Sequence, residues 1–337
     1  MAASQRSGKE ALYTAGMSVT SRRALLASAV LLAGCRRDTK KVIGVVPQGQ
    51  SHLFWQTVHA GAVAASRDAN VDIIWNGPAT ETDYSTQIQI VDALVNRRVD
   101  ALALAPIDRK VMVAVVERAV KAGIPVIIFD SGIETESYTA KVATDNYAAG
   151  RMAGKRMAEI LKGKGNVAIV AVRPGVASSV AREQGFEDEL RQNAPAIAIL
   201  DKRFGLADYA KSLAIAENML TAYPQLDAFF ASNESSTVGA AQAIKGRGSK
   251  VRLVGFDWSP SLLDDLKAGV IDSLVVQHPF KMGYESVMTA VKKLRGETVQ
   301  KINDLAPRLV TPDNLNAPDV QEQLNPDLKK YLGGSAA

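Results

Sequence analysis

Four times in this sequence an apolar run of β-forming residues ends on a side chain that can grip a hydroxyl group. Pro125-Val126-Ile127-Ile128-Phe129 ends at Asp130, and Ala228-Phe229-Phe230-Ala231-Ser232 ends at Asn233. Val251–Phe256 ends at Asp257, and Leu274-Val275-Val276 ends at Gln277. Carboxylates accept hydrogen bonds from hydroxyls, and carboxamides both accept and donate them. In open parallel α/β sheets the ligand sits outside the carboxyl ends of the strands. Singly, each polar residue would only mark a strand's exit into solvent. Four of them, far apart in sequence, describe the walls of one polar pocket. None is His, Lys or Cys, which favours hydroxyl binding over catalysis.

Other chemistry finds little support. The three histidines are His52, His59 and His278. His52 and His59 are seven apart and could share a helical face, but two imidazoles without a third ligand make a poor metal site. Gly163-Lys164-Gly165 precedes a strand instead of following one, so it is not a dinucleotide loop. There is no Gly-x-Ser-x-Gly elbow and no Walker-type loop. No enzymatic activity, catalytic residue, metal or cofactor is expected.

The elements that must position these residues alternate between strand and helix from residue 41 to about 293. Strand-like Val42–Val46, Asp72–Trp75, Ala101–Ala105 and Pro125–Phe129 are separated by the helix-like stretches Trp55–Asn70, Tyr84–Asn96 and Arg109–Ala122. The pattern restarts after Lys141–Thr144, where Asp145-Asn146 can cap a helix over Tyr147–Leu161. Asn166–Val172, Ala196–Lys202, Ala228–Ser232 and Val251–Phe256 then alternate with helices over Ser179–Gln192, Asp208–Ala222, Ser236–Lys245 and Pro260–Ala268. Such alternation predicts an α/β protein with parallel sheets covered on both faces. One sheet with this many strands would be unusual, so two doubly wound lobes are expected. The tail after Val310, rich in Pro, Asn and Asp, reads as extended packing or a loose end.

The N-terminus reads as an export leader. Arg22-Arg23 precede the eleven-residue run Ala24–Gly34, too short to span a bilayer. The run closes on Leu32-Ala33-Gly34-Cys35, which resembles a lipobox: cleavage before Cys35 and lipidation of its thiol. Cys35 is the only cysteine, so no intramolecular disulfide is possible. Ser21–Leu26 also resembles a twin-arginine signal, so the general and twin-arginine routes both stay open, as do starts at Met1 and Met17. The formal charge of +5 comes from 40 basic and 35 acidic residues. Residues 1–35 hold Arg6, Lys9, Arg22 and Arg23 against Glu10 alone, leaving 36 basic and 34 acidic residues in the other 302. A nucleic-acid footprint needs a concentrated basic face, so nucleic-acid binding is excluded.

Seven segments, ordered along residues 41–310, carry a resemblance to a known family. They are Ile43-Gly44-Val45-Val46 with Phe54-Trp55, Pro125–Asp130, Thr144-Asp145-Asn146 with Gly150, Arg182-Glu183-Gln184-Gly185-Phe186, Ala231-Ser232-Asn233-Glu234, Val254-Gly255-Phe256-Asp257 and Gln277-His278-Pro279. The chain resembles the periplasmic sugar-binding proteins of the ribose/galactose type, which share a fold with the ligand domain of lactose-repressor-like regulators. The resemblance implies the type I periplasmic binding protein fold. Its parts would be a lipoprotein signal peptide over 1–35, a tether over 36–41, an N-terminal lobe over 42–144 plus 278–309, and a C-terminal lobe and tail over 145–277 plus 310–337. Hinge crossings would lie near 144–146, 277–279 and 308–311.

In that family Asp130, Asn233, Asp257 and Gln277 would bind sugar hydroxyls, and Arg182 would donate in a fork to one or two oxygens. Phe54 and Trp55 would stack on the sugar's C–H face, while Gln48 and His52 would occupy first-lobe polar contact positions. Ser131 follows Asp130 where ribose binders carry an arginine, and a second-lobe aromatic is replaced around Ala207, two residues before Tyr209. Trp258 stands where a small residue is usual and could fill the vacated space. These departures point away from ribose toward a different or larger sugar or polyol. The implied partners are the sugar, an ATP-binding-cassette (ABC) permease and a chemoreceptor, for a monomer anchored through Cys35 in the periplasm or cell envelope. A same-fold receptor for a nucleoside or furanosyl signal is the alternative.

Overall fold

Strands covered on both faces are unbroken apolar runs, and Ala101–Leu104, Val126–Phe129, Ala228–Ala231 and Ser273–Val276 are buried at every residue. They form the centres of two parallel sheets in a computed structural model that describes residues 40–333.

The chain begins with β1 (Val42–Val46), α1 (Leu53–Ala69), β2 (Asp72–Trp75), α2 (Tyr84–Asn96) and β3 (Ala101–Leu104). It continues through α3 (Val113–Lys121), β4 (Val126–Phe129) and β5 (Ala140–Thr144). The second run holds α4 (Asn146–Ile160), β6 (Lys164–Ala171), α5 (Ala177–Asn193), β7 (Ala196–Phe204) and α6 (Tyr209–Ala222). After it come β8 (Ala228–Ala231), α7 (Glu234–Gly246), β9 (Arg252–Phe256), α8 (Pro260–Lys267) and β10 (Ser273–Val276). The chain ends with α9 (Pro279–Leu294), β11 (Ile302–Leu305), β12 (Arg308–Val310), α10 (Pro318–Leu324) and α11 (Leu328–Leu332).

The first sheet has the order β11-β5-β4-β3-β1-β2 and the second β12-β10-β9-β8-β6-β7. Only β12 runs antiparallel to its neighbour, β10. Each sheet is covered on both faces. Trp55, Val58 and Met282 pack on one side of the first and Val91, Leu102 and Met112 on the other. Phe229, Leu262 and Leu274 oppose Phe186, Phe230 and Phe256 across the second.

The chain passes between sheets after β5, after β10 and between β11 and β12. The tail departs from its sequence reading in two ways. It is helical, because Pro318 opens α10 and Asp327 caps α11 by accepting the Lys330 N–H at 3.0 Å. It also returns to the first lobe instead of ending on the second. Val320 and Leu324 of α10 join the second lobe's core. Arg67 of α1 then donates to the carbonyls of Lys330 and Tyr331 at 3.0 and 3.2 Å. Helix α3 starts at Val113, not Arg109, because Asp108 Oδ1 holds the Lys110 and Val111 amides at 2.9 and 3.0 Å in a turn. Cys35 and the leader lie outside the described residues. Among the described residues no helix is long and apolar enough to cross a membrane.

Candidate functional site

Both pocket aspartates sit one residue past a strand with left-handed backbone. Asp130 follows β4 with φ 59°, and Asp257 follows β9 with φ 66°. Few residues besides glycine accept that region, and Asp and Asn do so most readily. The turn ends each strand abruptly beside a cavity of about 370 Å³ between the sheets' carboxyl edges. Gln48, His52, Phe54, Trp55, Asp130, Arg182, Asn233, Asp257 and Gln277 all line it. Every sequence-predicted contact is thus brought to one place, drawn from both lobes.

Their partners differ in kind. Asp257 is tied into its lobe, accepting the Glu234 N–H at 3.0 Å and the Gln277 amide at 2.8 Å. Gln277 in turn accepts from Thr144 at 2.8 Å, linking two of the crossings. Asn233 caps α7 through the Ser236 N–H at 3.0 Å. Arg182 donates to Asn146 Oδ1 at 2.7 Å and to the Ser232 carbonyl at 3.1 Å, with its guanidinium 4.1 Å over the Phe256 ring. Asp130 is nearly bare: among the described residues its side chain takes only a long contact from Gln48 Nε2 at 3.5 Å.

Two acids that the sequence reading did not single out belong to the same cavity, Glu81 and Glu234. Glu81 Oε1 lies 2.7 Å from His52 Nδ1 and accepts the Trp55 indole N–H at 2.7 Å. Glu234 accepts from Tyr209 OH at 2.7 Å. Tyr209 lies edge-on to His52 with ring centroids 5.1 Å apart. Trp258 packs into the second lobe's core and lines a smaller void behind Asp257 with Phe54. His59 faces away, stacked on Trp75 at 4.4 Å, and so shares no site with His52.

Burial sets the charge state here. It lifts the Asp130 carboxyl to about 7, with Arg182 only partly opposing it and Glu81 and Asp257 adding to it. Burial likewise raises Asp257 and Glu234 against the pull of Arg182 and His52 respectively. For His52 burial works downward, but the Glu81 hydrogen bond and the charges of Glu81, Glu234 and Asp257 win and hold it at about 9. Four acids, Glu81, Asp130, Glu234 and Asp257, thus share one cavity with the cations of Arg182 and His52. In a wider cleft at the outer end of the second lobe, Arg156 pairs with Asp272 at 2.7 Å and Lys245 with Asp265 at 2.8 Å.

The lobes also complete each other's helices. Neither α1 nor α5 has a side-chain cap from its own N-cap residue, His52 or Val176. The second N–H of α1, at Phe54, donates across the cleft to Glu234 Oε2 at 3.2 Å. The second N–H of α5, at Ser178, donates back across it to Ser131 Oγ at 3.2 Å. A missing cap costs about 1 kcal/mol, so this arrangement rewards the lobes for meeting. Ser131, notable in the sequence only for the arginine it replaces, acquires a part in this contact.

Comparison with known proteins agrees with this geometry. A D-ribose/D-allose-binding protein from Pseudomonas aeruginosa is 31% identical over 307 residues, covering 85% of this chain and 95% of its own. A carbohydrate transporter solute-binding protein from Agrobacterium radiobacter, solved with D-arabinose, superposes with a TM-score of 0.83 at 31% identity, covering 86% of this chain and 100% of its own. An ABC transporter solute-binding protein from Agrobacterium vitis, bound with α-D-tagatopyranose, gives 0.82 at 29% identity, covering 86% and 100%. The family model described as the periplasmic binding protein domain matches residues 43–298. Two lobes around one shared polar cavity and a match over most of the chain lead to the same conclusion: this protein belongs to the periplasmic binding protein domain family.

Proposed function

We propose that this protein captures a monosaccharide or polyol between its two lobes in the periplasm and delivers it to an ABC importer. The observation that carries the reading is the cavity itself. Asp130 and Gln48 from one lobe face Arg182, Asn233 and Asp257 from the other around a space of about 370 Å³. Its walls offer hydroxyl partners without a nucleophile aligned to a base. The related proteins named above are described as binding ribose, allose, arabinose or tagatose, which supports a sugar here. The lobes we assign are 42–144 with 278–309 and 145–277 with 310–324, with 325–333 returning to the first. The chain segments between them act as the hinge. We take the functional unit to be a monomer. The closed shape is what a permease, and a chemoreceptor, would select over the open one.

A thermal-shift screen over pentoses, hexoses, polyols and nucleosides is expected to give its largest shift with a sugar or polyol. A preference for a nucleoside would replace this reading with the same-fold alternative, and turnover of any compound would overturn it. We further propose that the mature chain begins at a lipidated Cys35 and is held to the membrane by that lipid. Mass spectrometry of the membrane fraction should find an acylated N-terminal cysteine. An unmodified chain starting at Met1 or Met17 would refute the anchor.

A further inference from the structure

We propose that Glu81 is a positioning residue that holds His52 as a hydrogen-bond donor toward the bound sugar and fixes Trp55 beside it. The inference rests on the sugar-binding reading and adds to it the residue that sets the polarity of one wall. Glu81 lies in the loop between β2 and α2 and makes no sugar contact necessary for this role. One of its oxygens, Oε1, serves two clients, His52 Nδ1 at 2.7 Å and Trp55 Nε1 at 2.7 Å. Both clients line the cavity, and both are nearly inaccessible, at 5% and 3% exposure.

The chemistry turns on the far nitrogen of the imidazole. With Nδ1–H committed to Glu81, a neutral His52 would present Nε2 as an acceptor. A protonated His52 presents Nε2–H as a donor. Asp130, Asp257 and Glu234 line the cavity as acceptors, so a donor on the His52 wall serves sugar oxygens that these acids do not. The charged groups facing His52 are Glu81 from its own lobe and Glu234 and Asp257 from the other, with the Tyr209 phenol edge-on. All three acids favour the cation, but only Glu81 bonds to it directly. His52, Trp55 and Glu81 belong to the first lobe, so their arrangement survives opening of the cleft.

That last point supplies a test free of any ligand. Nitrogen-15 NMR should show His52 of the unliganded protein titrating above the ordinary value of about 6.5, because the Glu81 bond stays within the first lobe. In Glu81→Gln, which keeps the shape and the indole acceptor, it should titrate at least about 10-fold lower in proton affinity, near or below that ordinary value. A parent His52 that titrates at the ordinary value overturns the inference. The second arm measures affinity for D-ribose, D-allose, D-arabinose and D-tagatose between pH 6 and 10. The parent should bind its preferred sugar evenly at low pH and weaken only as pH rises through the raised value found for its free His52. Glu81→Gln should weaken already between pH 6 and 7, and be about 10-fold poorer at pH 8. An unchanged pH profile in Glu81→Gln also overturns it, because a purely structural role would lower affinity at every pH alike. If the parent takes none of these sugars, the sugar reading suffers, and the histidine titration still decides the role of Glu81.

Discussion

Asp130→Gly is expected to bind the preferred sugar about 30- to 1000-fold more weakly than the parent while melting no lower. The affinity loss follows from removing a buried charged acceptor, which leaves ligand hydroxyls unpaired at about 2–4 kcal/mol. Retained stability follows from what Asp130 does without ligand, which is little. Its side chain is 4% exposed and carries only the 3.5 Å contact from Gln48, and its backbone is held at φ 59°, where glycine is at ease. The carboxyl's affinity for its proton is raised from the ordinary 3.8 to about 7 when the empty cavity is closed. A raised acid stabilises that closed form fully below about pH 4 and loses the contribution as pH climbs through 7. At pH 8 the unpaired carboxylate then costs the empty closed form up to about 4 kcal/mol. Opening lets water in and removes that cost, whereas a sugar removes it by donating hydroxyls. Empty closure is thus penalised by the same group that rewards liganded closure. Asp130→Gly should accordingly be more compact than the parent without ligand at pH 8, by small-angle scattering. Near-parental affinity would show that Asp130 does not touch the sugar.

Much of this site was legible in the sequence because strand burial and strand termination both leave marks. A strand covered on two faces must be apolar throughout, so Asp130, Asn233, Asp257 and Gln277 stood out as the first residues that broke the rule. Glu81 had no such frame. It lies in Thr80-Glu81-Thr82-Asp83, where Asp83 is equally acidic and merely caps α2 through the Thr86 N–H at 2.9 Å. Only folding brings Glu81 beside His52, 29 positions earlier. Glu234 was visible within its motif, but an acid in the first turn of a helix is well explained by the helix dipole. Its bond to the Phe54 amide depends on the opposite lobe. The edge strands β11 and β12 are four and three residues long and carry Asn303, Asp304 and Arg308, so no apolar period announced them. In the tail, Pro318 and Asp327 were valid helix-start signals that the polar composition around them outweighed.

The reach of the helix scaffold into the site is tested by Gly150→Ala. Helices α4 and α5 cross so closely that a Cβ at Gly150 would lie 1.9 Å from the Arg182 carbonyl oxygen and 3.0 Å from its Cα. The approach is reciprocal, since a Cβ at Gly185 would come within 2.2 Å of the Tyr147 carbonyl. Backbone atoms cannot swing aside as a side chain does, so the helices must part at a cost of about 1–3 kcal/mol. We expect a fall of about 4–10 °C in Tm. The piece displaced is the backbone of Arg182, whose guanidinium is aimed by bonds to Asn146 on α4 and to the Ser232 carbonyl beyond β8. Shifting one helix against the other misaligns that fork, so affinity should fall at least about 10-fold as well. Gly61→Ala is the control for instability alone. Its Cβ would meet the Phe280 carbonyl at 1.9 Å in the equivalent crossing of α1 and α9, where the displaced residue is not a pocket residue. It should lose comparable stability with a much smaller loss of affinity. Should Gly150→Ala melt early yet bind as the parent does, Arg182 is held by its own hydrogen bonds and the Phe256 ring, and not by the helix crossing beneath it.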